Sequence, residues 1–237
     1  MTLSSRLLTL VCLLAAILCR LSETNAQVIA PDPRLNPEGP TEADLEAEFR
    51  RAREPLRAAP EFRGTDAASH LRLAEALAHR GDLNGAVEEY HAALALQPEL
   101  LDAHRGLGVI QLDRHDWAGA VESLRTTVRL APNDGEAFYW LGRALMGVRD
   151  WSGAVTALET ATTLRPDDAE AYADLGLVRM VQGQQTAASE ALLVAVRLKP
   201  DHAEVHRLLE ILHTFEKEPA QIAREAKQIL DLIFARE

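Results

Sequence analysis

Apolar residues recur at helical spacing through most of the chain, and the same apolar and small positions return every 34 residues. Pro98, Pro132, Pro166 and Pro200 mark that period without insertion. Twelve residues before each proline stands an alanine: Ala86, Ala120, Ala154 and Ala188. Eight before it is a bulky apolar residue (Tyr90, Leu124, Leu158, Leu192), and five before it a small one (Ala93, Thr127, Ala161, Ala195). Upstream, the pairs Leu73-Ala74, Leu107-Gly108, Leu141-Gly142 and Leu175-Gly176 keep their own fixed distance. Short polar breaks divide each period: Arg80-Gly-Asp82, Arg114-His-Asp116, Arg149-Asp150 and Gln182-Gly-Gln184. The pattern predicts two helices per period, joined by a tight turn and closed by proline.

Small residues let antiparallel helices approach closely, so Gly108, Gly142 and Gly176 are expected opposite the alanines at 86, 120, 154 and 188. Glycine inside a helix costs about 0.5–1 kcal/mol relative to alanine, which close packing has to exceed. After the prolines, Asn133-Asp134, Asp167-Asp168 and Asp201 are expected to cap the next helix. The period and these columns resemble the tetratricopeptide repeat (TPR), from Ala67 to Pro200. The resemblance implies an all-α fold, a right-handed superhelix of four helix-turn-helix units at 67–100, 101–134, 135–168 and 169–202. Residues 203–237 are expected to add a degenerate fifth unit, with Leu209 in its column and Glu210 in place of glycine. A capping helix follows there, its stripe of Ile222, Ala226, Ile229, Leu230 and Ile233 opposed by Arg224, Lys227, Gln228 and Asp231.

The amino end has a different character. Met1–Ala26 places Arg6 before an apolar run from Leu7 to Cys19, with small residues Thr24 and Ala26 ahead of Gln27. That layout predicts a secretory signal peptide cut after Ala26; the run is short of the ~20 apolar residues of a spanning helix. An uncleaved anchor is the rival reading, and a lipoprotein site at Cys19 is disfavoured by Leu18. Residues 27–66 then form a proline-rich tether, with Pro31, Pro33, Pro37 and Pro40, and a pre-repeat helix. Thr41-Glu-Ala-Asp44 resembles a capping box, and the helix is expected over 42–54, ended by Pro55.

Composition sharpens this picture in two respects. The 237 residues carry 25 Lys and Arg against 36 Asp and Glu, a formal charge of −11, which argues against nucleic acid as the partner. Losing residues 1–26 removes two arginines and one glutamate and moves the charge to −12. Both cysteines, Cys12 and Cys19, fall in that segment, so the mature chain is expected to have no thiol and to suit a periplasmic or extracellular location.

By the TPR resemblance, the first helix of each unit lines the inner face. The implied inward positions hold the acidic row Asp102, Glu136, Glu170 and Glu204, together with Leu71, Arg105, Tyr139, Ala173 and Arg207, then Glu75, Val109, Arg143, Leu177 and Ile211, and Leu112, Met146 and Met180. Such a mixed face suits a protein or peptide ligand, with Arg105, Tyr139 and Arg143 as anchors and Trp140, Met180 and Arg207 as further candidates. The family's clamp for a carboxylate tail is not reproduced, since its places hold Arg105, Val109, Trp140, Glu170 and Asp174. Trp117 and Trp151 open their second helices and read as packing residues.

Catalytic signatures are missing from the sequence: no phosphate loop and no nucleophile in a recognisable setting. His202, His206 and His213 could be imagined around a metal, yet His206 shares the large-residue column with His70 and His104 and reads as core. No cofactor or small-molecule substrate is expected. The expectation is a non-enzymatic, exported scaffold, with an accessory subunit or assembly factor of an envelope enzyme or secretion complex as the alternative. Self-association through the stripe that ends at Ile233-Phe234 is a further possibility.

Overall fold

The computed structural model describes residues 42–59, 65–216 and 218–234. The predicted signal peptide, the tether and the Thr41 capping box lie outside them. Backbone contacts divide the chain into a unit ending at Glu48, of which Glu42–Glu48 begin the first helix, and a unit from Phe49 to Glu237. Among the described residues there are eleven helices and no strand.

Helix α1 spans Glu42–Ala58 and continues through Pro55, where the sequence suggested a stop. Proline removes only its own N–H bond to the preceding turn, and its fixed φ is compatible with a helix, so one more turn survives. The repeats follow as pairs. They are α2 (Ala67–His79) with α3 (Leu83–Leu96), α4 (Leu101–Asp113) with α5 (Trp117–Leu130), α6 (Gly135–Gly147) with α7 (Trp151–Leu164), and α8 (Ala169–Val181) with α9 (Gln185–Leu198). Helix α10 (Ala203–Thr214) opens a fifth pair that is not completed, and α11 (Pro219–Ile233) ends the described chain.

The first three turns within pairs are built the same way. Asp82, Asp116 and Asp150 accept hydrogen bonds from the amides of Gly85, Gly119 and Gly153, capping α3, α5 and α7. One residue before each cap the backbone is left-handed, at Gly81, His115, Arg149 and Gly183, with φ of 81°, 58°, 64° and 73°. His115 and Arg149 hold that conformation without being glycine, which costs roughly 1–2 kcal/mol each. In the fourth turn Gln184 gives α9 no side-chain cap, and the buried atoms Gln182 Oε1 and Gln185 Nε2 have no hydrogen-bond partner.

Between pairs, Asp134 and Asp168 cap α6 and α8 as expected, whereas Asp201 does not cap α10. The cap position there is His202, one residue later, which makes no capping bond. The glycine column faces chiefly the leucine column rather than the alanines expected, though a Cβ on Gly176 would also lie 3.3 Å from the Ala188 carbonyl oxygen. A Cβ on Gly108, Gly142 or Gly176 would lie 2.8, 2.7 or 2.6 Å from Leu124, Leu158 or Leu192, so glycine makes room for the leucine column. The alanine column is fully buried alongside.

Successive first helices (α2, α4, α6, α8) touch one another, while successive second helices make no comparable contact among the described residues. The stack therefore curves with its first helices inward. One apolar cluster runs from Leu56 and α2 to Ile110 of α4, and a second from Leu112 to α11.

Candidate functional site

The inner face falls into an open part and a filled part. The open part is a depression of about 350 Å³ lined by Glu75 of α2, Tyr90 of α3, Asp102, Arg105 and Val109 of α4, and Trp140 of α6. Glu136 adds a further carboxylate to its wall. Tyr90 reaches the floor because Gly106 has no Cβ to meet the phenol ring. Burial, and then the charges of Glu75 and Asp102, push that phenol up to about 12. Arg105 Nη2 donates to Asp102 Oδ1 at 2.5 Å, and Nη1 lies 3.7 Å from Asp134 Oδ2, so the guanidinium stands already oriented on an acidic rim.

Trp140 stands at the junction, lining both this depression and a second cavity shared with Leu112, Trp117, Arg143 and Ile233. The Tyr139 ring packs on it at 4.9 Å between centroids. Burial, reinforced by Asp174, raises the Tyr139 phenol above its ordinary value. The Arg143 guanidinium lies 6.0 Å from the rings of both Trp140 and Phe234.

Beyond this point the groove is occupied by α11. Rather than cover the end of the stack, this helix packs along α8. Its Ile222, Ala226 and Leu230 are buried in one cluster with Met146, Leu177 and Met180. Phe234, one turn on, meets Trp117 edge-on at 5.1 Å, and Arg149 Nη2 donates to Asp231 Oδ1 at 2.7 Å.

The expected anchors are thereby separated. Arg105 and Trp140 line the open part, and Tyr139 and Arg143 stand near the junction. Met180, expected as an exposed adaptable side chain, is 0% exposed because α11 packs on its helix. Arg207 lies elsewhere, beside Leu208, Ile229 and Leu232 between α10 and α11. Most of the stripe expected to be available for self-association is covered within the chain. Glu75 and Val109 line the open part, as the inward positions implied, whereas sequence reasoning missed Tyr90 as a lining residue and read Trp117 as packing alone. The regular spacing of Ile222, Ala226, Leu230 and Phe234 was the available signal for the last.

The sequence matches the tetratricopeptide repeat family over residues 105–147 and 139–203, and a TPR repeat over 74–114. The chain is a tetratricopeptide repeat protein. Among solved structures, this TPR protein is similar to the TPR protein YrrB, described as having an unusual peptide-binding site, at 23% identity and a TM-score of 0.60. That match covers 78% of this chain and 91% of YrrB. It is similar to MamA at 27% identity and a TM-score of 0.60, over 68% of this chain and 86% of MamA. MamA from Desulfovibrio magneticus aligns at 23% identity and a TM-score of 0.55, over 68% of this chain and 98% of that one. No curated protein sequence matches.

The TPR histidines hold the polypeptide rather than pack in its core. His104 Nε2 lies 2.8 Å from the carbonyl oxygen of Pro98, and His206 Nε2 lies 2.7 Å from that of Pro200. Each ring thus ties a first helix to the proline that closes the previous unit, and His70 pairs with Glu89 at 2.7 Å. The reading of these three as core residues is corrected: a ring at that column reaches a loop carbonyl or a carboxylate. His202 Nε2 is 3.0 Å from Glu170 Oε2, and Lys199 Nζ is 2.9 Å from Oε1. Burial opposes ionisation of Glu170, but these two partners hold its carboxyl below the usual range. Among the described residues, no group of three or more His, Cys, Asp or Glu side chains is placed to hold a metal.

Asp174 is the most perturbed acid of the groove. Its Oδ2 is buried without a hydrogen bond and 3.7 Å from Arg143 Nε. Burial pushes its carboxyl up to about 7; Arg143 opposes the shift, and Glu204, Glu170 and Asp168 add to it. The folded chain therefore binds this proton more tightly than the unfolded chain does, and stability falls as pH rises from about 4 through about 7. Asp174→Asn removes that dependence. Thermal unfolding at pH 5 and pH 8 should show the wild type losing about 2 kcal/mol more than the variant between the two.

Proposed function

We propose that this chain is an exported adaptor that holds a peptide or protein partner in the open part of its inner groove. One observation carries the reading: a depression of about 350 Å³, rimmed by charged side chains and floored by Tyr90 and Trp140, stands open on the inner face. Amphipathic aromatics and a pre-oriented arginine supply much of the binding energy at protein interfaces. Arg105 anchors an acidic group of the ligand, and Glu75, Asp102 and Glu136 flank it with sites for basic ones. That YrrB, a neighbour in fold, has a peptide-binding site supports a peptide as the ligand class. Export rests on the first 26 residues, and the mass of the mature amino terminus tests it.

The groove assignment is tested by co-purification from the producing cell with wild type, with Arg105→Glu/Glu75→Lys, and with Glu122→Lys on the outer helix α5. The inner reversals should deplete the same partner at least about tenfold while the outer one leaves it bound. An unchanged partner set with the inner variant removes the assignment.

A further inference from the structure

The filled part of the groove presents a ligand as well as a site. We infer that the face formed by α6, α8 and α10 is a helix-binding groove in which α11 is a resident, displaceable occupant, and that it accepts an amphipathic helix of the same pattern from a partner protein. That pattern is an apolar residue at every fourth position, as in Ile222, Ala226 and Leu230, closing on an aromatic like Phe234.

Three observations support this. First, α11 packs on α8 and shares one buried apolar cluster with the adaptable side chains Met146, Leu177 and Met180, Met146 lining a cavity with Leu230 and Phe234, while Trp117 receives the aromatic at its far end. Met146, Leu177 and Met180 are inner-face positions, where a repeat array exposes side chains to a ligand rather than to its own next hairpin. Second, α11 is not a fifth second-helix in place: α9 packs closely on α8, whereas α11 makes little contact with α10, its predecessor in the chain. It is joined through Phe215–Glu218, and its cap residue Glu218 makes no side-chain capping bond. Third, beyond its buried stripe little ties it to the array. Leu232 is 79% exposed, and among the described residues the ion pair between α11 and the array is Arg149–Asp231, half exposed on both sides. An apolar stripe tied by one exposed ion pair is the arrangement from which a competing helix can take over.

The test uses the full-length protein and, as probe, a fluorescein-labelled synthetic peptide of residues 217–237 of this chain. Substituting Leu230→Ala/Phe234→Ala in the protein loosens the resident helix and leaves the groove wall intact. It should raise probe affinity by at least about tenfold over wild type, since the vacancy rather than the site is limiting. A probe carrying Leu230→Asp should bind neither protein. Arg105→Glu should leave probe binding unchanged, which separates this inference from the assignment of the open part. A folded variant that gains no affinity overturns the inference. So does a wild-type dimer in which α11 lies on a second copy. Should the variant unfold, hydrogen exchange of the wild type decides. Amides of α11 exchanging at least about tenfold faster than those of α8 support a resident that leaves, and equal protection overturns it.

Discussion

In a urea titration, Arg53→Ala should lower the free energy of unfolding by about 3–5 kcal/mol, the cost of breaking a buried ion pair from one side. Arg53 Nε donates to Asp82 Oδ2 at 2.5 Å and Nη2 to Oδ1 at 2.8 Å, with side-chain exposures of 6% and 4%. The same carboxylate caps α3 through the Gly85 amide at 2.9 Å. Burial alone would raise the Asp82 pKa, but the bonds from Arg53 and Gly85 hold it below the ordinary value of 3.8. A depressed acid contributes stability at neutral pH that is lost as pH falls through its folded value. The wild type should therefore lose this contribution below about pH 4, and Arg53→Ala should lack that acid limb. Arg53→Met/Asp82→Asn, which keeps a cap acceptor and removes both charges, should recover more than half of the loss; a double variant as unstable as the single would refute the account.

The second large effect lies at the centre of the array. Leu158 is fully buried against Gly142, and Leu158→Ala should cost about 2–5 kcal/mol for lost contacts and the cavity left behind. Gly142→Ala alone places a Cβ 2.7 Å from Leu158 Cγ; overpacking costs about 1–3 kcal/mol against a helix-propensity gain of about 1 kcal/mol, so it should destabilise. In the Leu158→Ala background the obstacle is gone, and Gly142→Ala should become stabilising. The reversal of sign across the double-mutant cycle is the measurement, and additive effects would show that the two columns are not in contact.

The repeat columns were legible because each one answers a local steric demand. A proline ends a helix, an aspartate caps the next, and a glycine stands wherever a leucine needs its space. Positions outside that code were read less well. Pro55 reads as a terminator because sequence alone does not show whether the following turn is held. Asp201 was one residue from the real cap, since the turn geometry, not composition, fixes which residue faces the amides. His104 and His206 occupy an apolar column yet reach for loop carbonyls, a use that needs the previous proline's carbonyl to be within range. The groove was half legible. Arg105 and Trp140 lie on the open face, but Met180 was expected to be exposed there because an amphipathic stripe says which side of α11 is hidden and not what hides it.

That placement changes the mechanics of the array. Hairpins bonded only to their neighbours behave as a coil spring, whose pitch changes at little energetic cost. Helix α11 joins Asp231 to Arg149, 82 positions earlier in the chain, and sets Phe234 against Trp117. While seated, it acts as a strut across the arc from α10 to the second hairpin, so stretching that part of the coil must first break side-chain contacts. The first hairpin lies outside the braced span and keeps its compliance, which leaves one end stiff and the other free to adjust its curvature.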